Sequence, residues 1–197
     1  AQHLERLNDN LNKVSIDPPY SGKEWKELLV TLSEKNGNSD LSFYIQVTRG
    51  VAERNHFFPM DCKPTVFVMC TSLKSSSSPL IKSCITRSDN RWGRCDIKTT
   101  SLLPNLMLKN EALLSDAFEV ILLKNGILTE GASSNVFVVS KGRVKTPEVS
   151  NFILPGVTRD FVLQVLNELG ITCEKRNVTS EELFDACEIW LTSSTND

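Results

Sequence analysis

Apolar positions along the chain follow first a helical period and then a strand period, and the changes of period divide it into elements. Leu4, Leu7, Leu11 and Val14 recur at three- and four-residue intervals, which gathers side chains on one face of a helix. Asp17, Pro18 and Pro19 break that pattern. A second helix is predicted where Trp25, Leu28, Leu29 and Leu32 share a face, with Gly37 at its C-terminal end. The segments LSFYIQVT (41–48) and PTVFVMC (64–70) are rich in β-branched and aromatic residues and read as strands. Residues 1–74 are therefore expected to form a small α+β domain.

The run SLKSSSSPL has too little apolar surface to enter a core, and residues 75–82 are expected to link two domains. A second, α/β-like domain is expected over 83–197. It starts with a helix over 101–115 that tolerates Pro104 near its start. Two hairpins follow: FEVILL and ILTEG across Lys-Asn-Gly, then NVFVVS and RVKT across Lys-Gly. Hairpins argue against a doubly wound parallel sheet. The next helix, TRDFVLQVLNELG, places Phe161, Val162, Val165 and Leu169 on one side and Gly170 at its end. Thr179 and Glu182 form a capping box ahead of a short helix, and EIWLT reads as the last strand. The helical pattern is already under way at Ala1, where there is no Met, and the chain stops just past a strand. This predicts a fold truncated at both ends.

Of the 197 residues, 40% are hydrophobic, enough for one large core or two modest ones. With 22 Lys plus Arg against 24 Asp plus Glu, the net charge of -2 leaves no basic footprint for nucleic acid or an anionic membrane. Small molecules are the expected partners. No apolar run reaches the roughly 20 residues of a membrane span. The six cysteines form no Cys-x-x-Cys pair and have no histidine at zinc-ligand spacing, so reduced thiols in a cytoplasmic protein are expected and no metal site is assigned.

Four polar clusters carry candidate chemistry. Lys98 follows Ile97 in CDIKTTSLLPN; alone it reads as a solvated lysine, whereas a buried lysine amine could attack a carbonyl carbon to form a Schiff base. Glu130 ends a strand in LTEGASSNVFVV, a turn whose small residues suit backbone closure, or whose acid could hold a protonated ring nitrogen. Gly156 and Thr158 open a helix in ILPGVTRDF, where Thr158 is either an ordinary N-cap or part of an anion site. Arg49, Arg54 and His56 lie in QVTRGVAERNHFFP, either as surface charge or as a grip for a carboxylate.

Taken in this order, the clusters resemble the fold type IV pyridoxal-phosphate enzymes over essentially the whole chain, from HLERL to LTSST. That family includes D-amino-acid transaminases, branched-chain aminotransferases and aminodeoxychorismate lyases. The resemblance implies a two-domain fold in which Lys98 is the Schiff-base lysine and Glu130 the acid at the pyridine nitrogen. Arg6, Val157, Thr158 and Ser194 would bind the cofactor phosphate. ERNHFFP and EGASSNVF look most like the D-amino-acid transaminases, with Arg54 and His56 holding the substrate carboxylate. Glu53 and Ala132 depart from that pattern, where Pro and Ser are usual.

The resemblance further implies pyridoxal 5'-phosphate as cofactor, amino-acid and 2-oxo-acid substrates, and a homodimer. It also places a β-hairpin region bearing an active-site tyrosine before Ala1, and the rest of the second domain after Asp197. Two other readings stay open: a branched-chain aminotransferase or aminodeoxychorismate lyase, and a non-catalytic relative that only binds the cofactor.

Overall fold

A computed structural model describes residues 1–37, 40–73 and 81–194, which separate into two compact units, Ala1–Ser77 and Ser78–Asp197. The expected linker at 75–82 lies, apart from residues 81 and 82, outside the described residues.

The first unit contains α1 (Gln2–Lys13), α2 (Gly22–Lys35), β1 (Leu41–Thr48) and β2 (Thr65–Ser72). Ser21 and Glu24 close a capping box at the start of α2. Among the described residues of this unit, Leu11 of α1 and Trp25 of α2 are the buried apolar ones, and Tyr20 packs edge-on against Trp25. The strands pair antiparallel without a shift, from Leu41 opposite Ser72 to Thr48 opposite Thr65.

The second unit runs β3 (Cys84–Ser88), α3 (Leu103–Leu114), β4 (Glu119–Lys124), β5 (Ile127–Gly131), β6 (Asn135–Ser140), β7 (Arg143–Thr146), α4 (Val157–Glu168), β8 (Cys173–Lys175), α5 (Ser180–Phe184) and β9 (Glu188–Thr192). Its strands form two sheets, β3-β4-β5 and β8-β7-β6-β9. Strand alternation assigns each side chain to a layer. Val120 and Leu122 of β4 pack with Leu108 and Ala112 of α3, whereas Ile121 joins Leu128, Val136 and Val138 between the sheets. Phe137, between those two valines, points the other way and packs with Leu166 of α4.

Both hairpins are present. Asn125-Gly126 and Lys141-Gly142 adopt positive φ at both central positions, the turn whose twist matches the paired strands. Two short strands lie outside the expected pattern: β3 and β8 pair parallel to β4 and β7, and neither is long enough to show a period in sequence. The expected apolar face of α4 is also corrected. Phe161 and Leu169 are exposed, and the buried face carries Arg159 and Leu166, flanked by Val162 and Leu163.

Candidate active site

Residues 89–102 connect β3 to α3 without regular structure, yet hydrogen bonds hold the first part firmly. Asp89 N donates to Leu123 O (2.8 Å) and Cys95 N to Asn151 O (2.7 Å). Arg91 Nη2 reaches Phe152 O at 3.0 Å. Cys95, Asp96 and Ile97 are buried, and Lys98 emerges directly after them. The lysine is itself exposed, so deep burial is not what would prepare its amine.

Glu130 is 5% exposed at the end of β5. Arg91 Nη1 donates to its Oε1 at 2.5 Å, while Asn135 Nδ2 (3.1 Å) and the Leu154 N–H (2.9 Å) donate to its Oε2. Asp89 and Phe152 O share the rest of the Arg91 fork: Nε donates to Asp89 Oδ1 at 3.0 Å, and Nη2 to Asp89 Oδ2 at 2.8 Å as well as to Phe152 O. Thr129 Oγ1 adds a donor to Asp89 Oδ2 at 2.8 Å.

Burial pushes the Glu130 carboxyl up to about 7, against the pull of Arg91 and the Leu154 N–H. Burial also works against the charge on Arg91, but Asp89 and Glu130 outweigh it and raise its proton affinity. The two effects point in opposite directions for the Glu130 charge. Geometry decides for the carboxylate, because all three groups on its oxygens are N–H donors and none accepts a proton. Two carboxylates then face one guanidinium, leaving one formal negative charge in the buried cluster. A cationic N–H donor suits the acceptor capacity left on Glu130, and a protonated pyridine nitrogen is such a donor.

The turn after Glu130 is built by a residue that the sequence motifs did not single out. Glu119, almost fully buried at the start of β4, accepts from Ser133 N (3.2 Å), Ser133 Oγ (2.8 Å) and Ser134 Oγ (3.1 Å) through Oε2, and from Val120 N (2.9 Å) through Oε1. A Cβ on Gly131 would stand 2.2 Å from Ser134 Oγ and 3.1 Å from Ser134 O, so a larger residue there would displace the Ser134 hydroxyl from its place in the turn. A charged residue entering the apolar run FEVILL is the signal that could have marked Glu119. Arg91 had a weaker one, an acid two residues earlier in SDNRW.

The start of α4 lies next to this cluster in the fold. Asn135 Nδ2 also donates to Leu154 O at 2.9 Å, and a Cβ on Gly156 would stand 2.0 Å from Asn135 Oδ1. Gly156 is the N-cap, with Val157 the first helical residue, so Thr158 is not the cap. Its hydroxyl instead donates to Ser193 O at 3.1 Å, tying the first turn of α4 to the end of β9 beside Ser194. No side chain caps the helix, and the N–H groups of a helix's first turn lack intrahelical acceptors, which suits an anion. This donor set fits a phosphate.

In the first unit, Arg6 lies on α1, and Arg54 and His56 lie exposed in the loop between β1 and β2. Gly50 closes the neck of that loop at φ 112, where a Cβ would fall 2.1 Å from Lys63 O. Asn55 Oδ1 accepts from His56 N at 2.7 Å. The trio is split by Arg49, which donates to Ser15 O (2.6 Å) and Val14 O (2.5 Å) at the end of α1 and stacks 3.6 Å from the Phe58 ring. Its fork is spent on the fold, whereas Arg54 and His56 lie on the exposed part of the loop.

The family described as amino-transferase class IV matches residues 1–197. The chain belongs to the class IV aminotransferase family. A D-alanine aminotransferase from Bacillus licheniformis is 39% identical over 196 residues, covering 98% of this aminotransferase and 69% of the relative. A fold IV transaminase from Curtobacterium pusillum superposes with a TM-score of 0.84 at 25% identity, over 98% of this chain and 70% of that one. The branched-chain amino acid aminotransferase of Escherichia coli shares the fold, with a TM-score of 0.88 at 22% identity over 100% of this chain and 68% of that one. This aminotransferase is thus a pyridoxal-phosphate enzyme by family, with mixed helix and sheet as expected. Its second unit links Glu130, the Lys98 loop and the α4 start through Arg91, Asn135 and the 151–154 backbone.

Proposed function

We propose that this aminotransferase moves the amino group of a D-amino acid, D-alanine among them, to a 2-oxo acid such as 2-oxoglutarate. The observation that carries this reading is the buried Glu130 cluster with its unbalanced negative charge, in a chain whose relatives include D-alanine aminotransferases. Pyridoxal phosphate, when bound, supplies the electron sink for the pair left at Cα when a proton departs. Lys98 would hold the cofactor and then carry that proton on Nζ. Glu130 would keep the ring nitrogen protonated. Arg6, the opening residues Val157 and Thr158 of α4, and Ser194 would hold the phosphate.

Arg54 and His56 would hold the substrate carboxylate and so decide which face of Cα is presented. The ERNHFFP loop and EGASSNVF favour the D-amino-acid reaction over the branched-chain or lyase alternatives. Intact Lys98 and Glu130 speak against a relative that only binds cofactor. A homodimer is part of the proposal, supported by the exposed Leu103, Leu106, Met107, Leu113 and Leu114 of α3. The six free cysteines suit a cytoplasmic setting, and no helix among the described residues is long and apolar enough to cross a membrane.

The test supplies 2-oxoglutarate with either D-alanine or L-leucine and follows pyruvate or the branched 2-oxo acid. D-alanine is expected to react faster; faster L-leucine turnover would overturn the substrate assignment. Lys98→Ala is expected to lower the rate by at least about a hundredfold. A variant with near wild-type turnover would remove Lys98 from the chemistry.

A further inference from the structure

Asp89 reaches the acid assigned to the ring nitrogen through the Arg91 side chain, and its own oxygens are fully engaged. Its side chain is 1% exposed, with Oδ1 taking Arg91 Nε and the Arg91 N–H, and Oδ2 taking Arg91 Nη2 and the Thr129 hydroxyl. Arg91, 3% exposed, then has Nη1 directed at Glu130 Oε1. The three charges therefore run negative, positive, negative through the buried interior.

Without Asp89, the guanidinium would balance Glu130 one for one, and a second cation at Glu130 would meet a neutral pair. With Asp89 charged, Arg91 is shared between two carboxylates and the surplus negative charge falls at the end of the line, on Glu130. In a buried site this difference is screened far less than at the surface. The same contacts fix direction: two bonds to Asp89 orient the guanidinium plane and so aim the Nη1 donor at Glu130.

We propose that Asp89 is a positioning residue for the cofactor, acting through Arg91 to leave on Glu130 the negative charge that holds a proton on the ring nitrogen. The inference rests on the reading of Glu130 as the ring-nitrogen acid. It assigns to Asp89 a preference for a cationic ring, not merely a share of the stability of the fold.

Two probes separate these roles: pyridoxal phosphate and an analogue in which CH replaces the ring nitrogen. Equilibrium binding of each to the cofactor-free chain gives a preference ratio. Wild type is expected to favour pyridoxal phosphate, and Asp89→Asn to reduce that ratio by about tenfold. Asp89→Glu is expected to restore most of it. A purely structural role would weaken both ligands equally, so a wild-type ratio persisting in Asp89→Asn overturns the proposal. A wild type that does not distinguish the probes overturns instead the assignment of Glu130. Should Asp89→Asn not fold, Thr129→Val removes one donor from Asp89 and is expected to lower the ratio about threefold, with an unchanged ratio counting against the proposal.

Discussion

Gly156 approaches Asn135 so closely that a Cβ would lie 2.0 Å from Asn135 Oδ1. Asn135 in turn donates to Glu130, so the N-cap of α4 and the buried acid are held by one side chain. Gly156→Ala should push Asn135 away and loosen both. A loss of about 1–3 kcal/mol is expected in urea unfolding, together with weaker pyridoxal phosphate binding. Unchanged values for both would show that the contact relaxes freely.

Arg91→Met should be more damaging, because it leaves Asp89 and Glu130 buried without their cation. The expected loss is about 3–5 kcal/mol near neutral pH. The unpaired carboxyls would bind protons more readily folded than unfolded, so the variant should recover stability as pH falls toward 5. Unfolding curves at pH 5 and 8 check the sign.

Acid sensitivity should appear at Glu182. Arg176 and Lys145 hold its carboxyl well below the ordinary value of 4.5. A depressed folded value means that its contribution is present above the unfolded value and is lost as pH falls through the folded one. Glu182→Gln should therefore be less stable than wild type at pH 7, with the gap closing below about pH 4.5. A gap independent of pH would assign the effect to the capping box with Thr179 alone.

Arg49 and Arg54 stand close in sequence but should fail differently. Arg49→Ala removes two hydrogen bonds to the end of α1 and the contact with Phe58, and should cost about 1 kcal/mol of stability. Arg54→Ala should leave the unfolding midpoint in place and raise KM for D-alanine about tenfold or more. The reverse pattern would exchange their roles.

The helices, the hairpins and the capping box at Thr179 are legible in sequence because each depends on neighbours a few residues apart. The order of motifs likewise carries the family and the cofactor, and it singles out Lys98, Glu130 and Thr158 as candidates. Local pattern fails at β3 and β8, whose short strands exist because longer ones offer them an edge. It fails too on α4, where the partners across the interface choose Arg159 over Phe161 for the buried side.

What only the tertiary structure decides is who holds Glu130. Arg91 lies 39 residues before it and Leu154 lies 24 after, and no period or spacing relates them. Burial makes each unpaired charge costly, so the folded chain must bring distant groups together to satisfy it. The sequence names the acid; the fold determines the charge it has left to offer.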